Sequence, residues 1–268
     1  MKKNILKTVS GGYDSTYLLI KNLKNENEVY PMYVFTSIDS IKQKIEYSVI
    51  QSLVKKLKNK YKNLHDLTKI DITFYAIKNV FSVQPFTWII ALFKTIQKEQ
   101  FSIRFDEAQI GYIKSDCAIR YLPAIRTMWK TLFAFSNISN NIPKLCFPLS
   151  KYSKKYIINK LKDYDKNILA LCWTCEHPKI TKTNQIKNNS VEFLVEACGY
   201  CTPCDNLKET NKILFNNIKK YKVIFNYNEC LNKFKVYINN LVKNNKISYV
   251  EPGLISLEYA NKKSTNNS

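Results

Sequence analysis

The stretch NILKTVSGGYDSTYLL, residues 4–19, constrains this chain more than any other. An apolar strand runs into two adjacent glycines, out of only five in 268 residues, and a helical pattern begins on the far side. Paired glycines at a strand-to-helix junction mean that the backbone needs dihedrals other residues avoid, or that something approaches it closely. A helix starting near Asp14 and Ser15 presents unpaired N–H groups and a positive dipole end to whatever sits at Ser10-Gly11-Gly12, which suits a phosphate. Glycine at both positions lets the chain come close to the anion, and the hydroxyls of Ser10, Ser15 and Thr16 add donors. Asp14 is the discordant member, because a carboxylate beside phosphate repels it unless it caps the helix or meets magnesium. The plain alternative is a Gly-Gly turn with an Asp N-cap. The spacing matches neither the GxGxxG nor the GxxxxGKS/T loop.

Around this turn, strand and helix patterns alternate. Strands are predicted at Ile5–Val9, Val29–Phe35, Ile70–Ile77 and Ala108–Tyr112, with a last short one in LCFPL. Helices are predicted at Ser15–Leu23, Ser40–Lys60, Thr87–Gln100, Leu122–Ser136 and, capped, Ser153–Asp163; in the second, Ile41, Ile45, Val49 and Leu53 recur about once per turn. Such alternation predicts an α/β fold with a mostly parallel sheet covered by helices on both faces. Ligands of such sheets bind beyond the carboxyl ends of the strands, and Ser10 is the first such end. With 45% hydrophobic residues the chain buries one sizeable core plus a small appendage. The expected division is a nucleotide-binding domain over residues 1–165, a cysteine-rich and helical lobe over 166–260, and a frayed tail, NKKSTNNS, over 261–268. The polar segment KITKTNQIKNNS, Lys179 to Ser190, reads as a loop.

No apolar run reaches the roughly 18 residues of a membrane span. The start, MKKN followed by ILKTVS, is interrupted by Lys7 and unlike a signal peptide, so a cytoplasmic protein with no membrane partner is expected. The net charge of +21 rests on lysine, since only Arg104, Arg120 and Arg126 are arginines. It accompanies abundant Asn, Ile and Tyr, the enrichment an AT-rich coding sequence produces. Charge by itself therefore names no polyanionic partner.

Five of the eight cysteines gather late: Cys172, Cys175, Cys198, Cys201 and Cys204. The C-x2-C-x2-C run of Cys198, Cys201 and Cys204 is tight enough for turns to aim three sulfurs at one tetrahedral metal. In a cytosolic chain that spacing favours metal over disulfides, with an iron–sulfur cluster or redox thiols as the other readings. The fourth ligand is Cys172 or Cys175, with His177 a lesser candidate. Cys117, Cys146 and Cys230 read as ordinary small apolar residues.

SGGYDS resembles the SGGxDS pyrophosphate loop of the PP-loop ATP pyrophosphatases, the adenine-nucleotide alpha hydrolase superfamily. Those enzymes adenylate a substrate oxygen with ATP, release pyrophosphate, and then let a nucleophile displace AMP. With the late CGxCxxC run, the chain is similar to the 7-cyano-7-deazaguanine synthase family. GYIKSD, Gly111 to Asp116, resembles that family's GxxxxD, followed by Tyr121 and Pro123; PLSKYSKK resembles its PL(x)4K and puts Lys154 on the lysine. WTC resembles its W-S-C and selects Cys175 over Cys172; IKQKIE matches its QRHxxE helix only through Glu46. The chain departs where the family carries a PGRN-like stretch, reading QPFTW from Gln84 to Trp88, and the gap from Cys175 to Cys198 is long at 22 residues.

The resemblance implies a ligase of queuosine or deazaguanine nucleic-acid biosynthesis. It would convert 7-carboxy-7-deazaguanine and ammonia, with ATP and Mg2+, to 7-cyano-7-deazaguanine (preQ0). It implies catalytic roles for Asp14, Asp116 and Lys154, against the plainer readings of Asp116 as a helix cap and Lys154 as a solvated lysine. It implies a nucleotide site along Thr8, Val9, Ser10, Gly11, Gly12, Tyr13, Asp14, Ser15, Thr16, Tyr17 and Leu18. It also implies a structural Zn2+ on Cys175, Cys198, Cys201 and Cys204, and it admits a homodimer. Four thiolates leave no open coordination position and about two net negative charges on the site. The departure at Gln84–Trp88 leaves two alternatives in view: the same activation applied to a tRNA, DNA or protein acceptor, phage or antiphage relatives included, and a noncatalytic nucleotide-binding module. The intact loop residues speak against the second.

Overall fold

The computed structural model describes residues 2–36, 41–72, 83–99, 101–136, 142–186, 190–210 and 220–226. The expected tail over 261–268, Cys230 and the end of the predicted Ile70–Ile77 strand lie outside these residues.

Five strands, β1 (Asn4–Thr8), β2 (Glu28–Thr36), β3 (Thr68–Ile72), β4 (Glu107–Gln109) and β5 (Lys144–Cys146), form one parallel sheet in the order β3-β2-β1-β4-β5. β1 is central, flanked by β2 and β4, which is why it reads as a nearly continuous buried run. Helices α1 (Tyr13–Lys24), α2 (Ile41–Lys58), α3 (Val83–Glu99), α4 (Leu122–Ala134) and α5 (Lys154–Tyr164) follow the five strands in turn. A second core element, α6 (Lys166–Leu169), continues from α5.

Two hydrophobic cores identify the two faces of the sheet. One joins Val9 and Tyr33 to Leu18 and Ile20 of α1, Val49 and Leu53 of α2, and Ile157 and Leu161 of α5. The other joins Leu6, Met32 and Ala108 to Ile89 and Leu92 of α3 and Ile125, Trp129 and Phe133 of α4. Strand alternation sends Leu6 and Val9 to opposite faces, and each face buries enough Leu, Ile and aromatic surface to hold its helices, at about 25 cal/mol per Å² of apolar area. The α/β fold with helices on both faces is thus the observed one.

Beyond residue 170 the pattern differs from the sequence reading. β6 (Lys179–Ile186), β7 (Ser190–Glu196) and β8 (Tyr221–Asn226) form an antiparallel sheet with β7 in the middle, and α7 (Thr202–Thr210) follows the cysteine turn. The segment expected as a loop from Lys179 is therefore mostly a strand. It is an edge strand, exposed at Lys179 and from Thr181 to Thr183 with only Ile180 packed against the core, so it lacks the apolar alternation that marks a half-buried one. The fourth strand is shorter than expected, ending at Gln109, and a 3-10 turn over Cys117–Tyr121 leads into α4. Phe193, Val195, Leu207 and Val223 of this region bury into the same core as α1 and α2. Among the described residues no helix is long and apolar enough to cross a membrane.

The glycine turn is where the parallel sheet is least tolerant. Gly11 has φ +73°, and a Cβ there would meet Val49 Cγ1 at 3.0 Å, the Glu46 carbonyl oxygen at 3.3 Å and Ile50 Cγ1 at 3.3 Å. Gly11→Ala combines left-handed strain with a displaced α2 and should cost about 1–3 kcal/mol. Thermal unfolding checks this: a melting temperature equal to the parent's would contradict the packing described.

Candidate functional site

The turn between β1 and α1 has the architecture of an anion site. Gly12, in ordinary extended conformation at φ −75°, is the N-cap of α1, and the first bond of the helix runs from the Thr16 N–H to the Gly12 carbonyl at 3.0 Å. The N–H groups ahead of Thr16 have no intrahelical acceptor. Ser15 Oγ accepts from the Ser10 N–H at 3.2 Å, bonds Ser10 Oγ at 3.3 Å and donates to the Gly12 carbonyl at 3.1 Å, which fixes the curl of the turn. The two glycines are not equivalent. Gly11 is required by backbone and packing, whereas a Cβ on Gly12 would make ordinary contacts, 3.4 Å to the Trp173 carbonyl oxygen and 3.5 Å to Ser10 Oγ.

Asp14 does not cap the helix. It is the second residue of α1, and no side chain caps the Gly12 end. Its Oδ2 pairs with Lys154 Nζ, while its Oδ1 is buried and has no hydrogen-bond partner among the described residues. A buried carboxylate oxygen left without a donor is costly, and a cation bound there would satisfy it. Lys154 opens α5, whose N-cap Ser153 accepts from the Tyr156 N–H at 3.3 Å. With a side chain only 13% exposed, and its ammonium 5.7 Å from the centre of the Tyr13 ring, Lys154 is held in place rather than solvated. Asp116 Oδ2 accepts from the Ile113 N–H at 2.8 Å, so it braces the loop after β4 instead of capping the turn that follows. Burial lifts the Asp116 carboxyl above the ordinary carboxylate range, the Ile113 N–H opposes this, and the nearby Asp14 charge adds to the rise. Asp14, Asp116 and Lys154, far apart in sequence, thus share one electrostatic neighbourhood.

The remaining residues of the Thr8–Leu18 stretch divide by burial. Thr8, Val9, Tyr13, Thr16, Tyr17 and Leu18 are buried, with Val9, Tyr13, Tyr17 and Leu18 packed in the core below the turn. That leaves the Ser10–Ser15 backbone and the Ser10, Asp14 and Ser15 side chains to line the turn.

The cysteine centre lies next to it. The sulfurs of Cys175, Cys198, Cys201 and Cys204 all fall within 4.8 Å of one another. Backbone N–H groups already point at three of them: Cys198 N to Cys175 Sγ at 3.2 Å, Cys201 N to Cys198 Sγ at 3.4 Å, and Glu176 N to Cys201 Sγ at 3.5 Å. Burial raises the Cys198 thiol, but the N–H groups of Tyr200 and Cys201 and the neighbouring thiols outweigh it and hold Cys198 at about 7, while burial pushes Cys175 up to about 12. Cys172 is not part of this group. It is buried, donates to the Ile168 carbonyl at 3.5 Å, and is pushed up to about 12 by burial. His177 is likewise outside the cluster.

Sequence reasoning missed how the two sites are joined. The Trp173 N–H donates to the Gly11 carbonyl at 3.0 Å, so the chain leading into Cys175 lies across the glycine turn. Trp173 itself is 1% exposed, and its indole N–H donates to the Cys175 carbonyl at 3.2 Å. A second link runs through α2: Tyr33 donates to Glu46 Oε2 at 2.8 Å, Lys42 lies 3.7 Å from Glu46, and Lys42 also pairs with Glu176 beside Cys175. Burial raises the Glu46 carboxyl against the pull of Lys42 and Tyr33.

On the other side of Asp116, Trp88 stacks on Tyr112 at 5.7 Å and Tyr112 on Phe147 at 6.1 Å. The Tyr112 hydroxyl is buried without a partner among the described residues. Tyr112 and Phe147 are buried in the core shared with α3 and α4, so Trp88, from the Gln84–Trp88 stretch, is the half-buried ring of the stack.

No family model matches the chain, and no curated protein matches it. Among solved structures it is similar to the tRNA thiolase NcsA from Methanococcus maripaludis with its 4Fe-4S cluster, at 12% identity over 88% of this chain and 72% of that one, TM-score 0.39. It is similar to NMN synthetase from Francisella tularensis at 12% identity over 94% and 90%, TM-score 0.36. A 4-thiouridine synthetase–RNA complex with bound ATP matches at 14% identity over 83% and 55%, TM-score 0.39. At TM-scores this low, none of these likenesses speaks to what this chain does.

The geometry separates the cysteines experimentally. Cys201→Ser should lose bound metal and destabilise the lobe around α7, because metal binding is coupled to folding, while Cys172→Ser should keep a full complement. Metal content by plasma mass spectrometry reads this out. Metal retained in Cys201→Ser and lost in Cys172→Ser would reverse the ligand assignment.

Proposed function

We propose that this chain is an ATP-dependent enzyme of the PP-loop type, which adenylates a carboxylate and hands the acyl group to ammonia. The single observation that carries the reading is the turn itself: Gly11 at φ +73° and the first N–H groups of α1, which have no intrahelical acceptor, stand beside an Asp14 oxygen with no partner among the described residues. Phosphate oxygens take the N–H groups. Magnesium, where bound, would sit on Asp14 Oδ1 and offset the charge of the phosphates.

In the reaction, a substrate carboxylate oxygen attacks the α-phosphorus and the bond to the β-bridging oxygen breaks, releasing pyrophosphate. Lys154, fixed against Asp14 and Tyr13, places its ammonium where negative charge accumulates on the leaving group. Ammonia then adds to the acyl carbon and AMP departs, giving an amide. A second adenylation, now on the amide oxygen, followed by loss of the nitrogen protons and of AMP, gives a nitrile. On this reading the acid is 7-carboxy-7-deazaguanine and the product 7-cyano-7-deazaguanine. Half-buried Trp88, backed by the buried Tyr112 and Phe147, offers planar apolar surface for a base, and Asp116 offers a polar group for its edge. The four cysteines hold one zinc ion. Sulfurs around a single ion at about 2.3 Å lie about 3.8 Å apart, in keeping with the close grouping here, and the ion is structural, stapling Trp173 across the turn.

The same Gln84–Trp88 stretch favours a second reading, in which the activated acceptor belongs to a tRNA, a DNA or a protein. Incubation with ATP, magnesium, ammonium and 7-carboxy-7-deazaguanine, with mass analysis, decides between them. The first reading expects acid-dependent AMP and the nitrile. AMP formed only when a macromolecule is supplied would favour the second. Lys154→Ala should lower kcat on the acid by about 10²–10³-fold with a smaller change in KM, since the charge it meets develops toward the transition state. A change confined to KM would contradict that role.

A further inference from the structure

Lys7 is a fully buried lysine with no part in the chemistry proposed for the turn. It lies in the middle of β1, with Pro31 of β2 and Gln109 of β4 as its neighbours in register, and it is 0% exposed. Strand alternation turns it to the same face as Val9, the face covered by α1. Its ammonium nitrogen donates to the Thr8 carbonyl at 2.9 Å, the one hydrogen bond it makes among the described residues. An ammonium has three donors, so two are unmet among the described residues, at a side chain with no exposed surface.

The nitrogen lies below the glycine turn. A Cβ built on Gly111 would meet Ser15 Cα at 3.5 Å and both Lys7 Nζ and Ser15 N at 3.6 Å, so the amine shares one small space with the first turn of α1. The positive end of a helix dipole is an unfavourable place for a second positive charge. The charged groups facing this space are few. From α1, Asp14 attracts the ammonium, but Lys154 of α5 already pairs with that carboxylate; from β2 and β4, Pro31 and Gln109 bring no charge. Burial holds Lys7 down at about 7, with Asp14 only partly opposing it. Phosphates at the turn reverse this balance, since they add several negative charges just above a buried amine.

We propose that Lys7, enclosed beneath the first turn of α1 with a single acceptor, is a buried counter-cation of the phosphate site that takes up a proton when nucleotide phosphates occupy the glycine turn. The inference rests on the nucleotide reading of that turn. It makes the lysine a positioning residue that acts through the loop, and it makes nucleotide affinity depend on pH. A group whose pKa is raised by binding takes up a proton above its free value, so affinity is full below about pH 7 and falls as pH rises.

The test is calorimetric titration of the full chain with α,β-methylene-ATP and magnesium, in buffers of different ionisation enthalpy. At pH 8 the protein should take up close to one proton per nucleotide, and between pH 7.5 and 8.5 its Kd should rise by up to about tenfold. Lys7→Met, which keeps the volume and removes the charge, should bind more weakly below pH 7, take up no proton at the turn and show a flat Kd over the same range. The proton count on the parent protein needs no variant, so a Lys7→Met chain that fails to fold leaves the test intact. Binding without proton uptake, or equal uptake in Lys7→Met, overturns the inference alone. No binding at any pH overturns the nucleotide reading and the inference with it.

Discussion

The left-handed backbone at Gly11 is the constraint on which the rest of the structure depends. It ends β1, aims the N-terminus of α1 at the carboxyl edge of the sheet, and leaves the space into which Val49 and Ile50 of α2 pack. Its carbonyl takes the Trp173 N–H, and through Trp173 the cysteine centre is tied to the turn. A side chain at this one position would disturb strand end, helix packing and cysteine lobe together. That shared dependence explains a glycine at position 11; Gly12, in extended conformation with room for a Cβ, is under no such constraint.

Around this pivot the charges are arranged as a set. Among the described residues, Asp14 pairs one oxygen with Lys154 and has no partner for the other, Asp116 is held by the Ile113 N–H of the loop after β4, and Lys7 sits below with one acceptor. Asp14 Oδ1 lacks a partner among the described residues and Lys7 has a single one; on the proposed reading a magnesium–phosphate ligand at the turn would complement both. Lys154 supplies charge from the side, whereas the cysteine centre supplies rigidity through Trp173 and through the Tyr33–Glu46–Lys42–Glu176 chain.

The turn, the central strand and the parallel sheet were legible in the sequence because local rules dictate them: an apolar run, two glycines and a helical period can be read residue by residue. The four clustered cysteines were legible for the same reason, although choosing Cys175 over Cys172 took a resemblance to decide. What could not be read depends on tertiary neighbours. The Lys179–Ile186 segment is polar because it lies on a sheet edge, and only its pairing with β7 makes it a strand. Asp14 offered a cap or a metal ligand on paper, and only the geometry shows the cap to be absent. Trp173 entered the sequence reading only as the first letter of WTC, with nothing to tie it to Gly11, and Lys7 read as a mere interruption of an apolar stretch although it is fully buried.

The most direct measurement is a crystal structure of the protein grown with α,β-methylene-ATP and magnesium. The account predicts phosphate oxygens on the backbone N–H groups between Gly11 and Ser15, magnesium on Asp14 Oδ1, and the Lys154 ammonium turned toward the phosphates. Phosphates lodged elsewhere, for instance among Lys44, Lys69 and Lys222 in the cleft between α2 and β8, with the turn left empty, would contradict it.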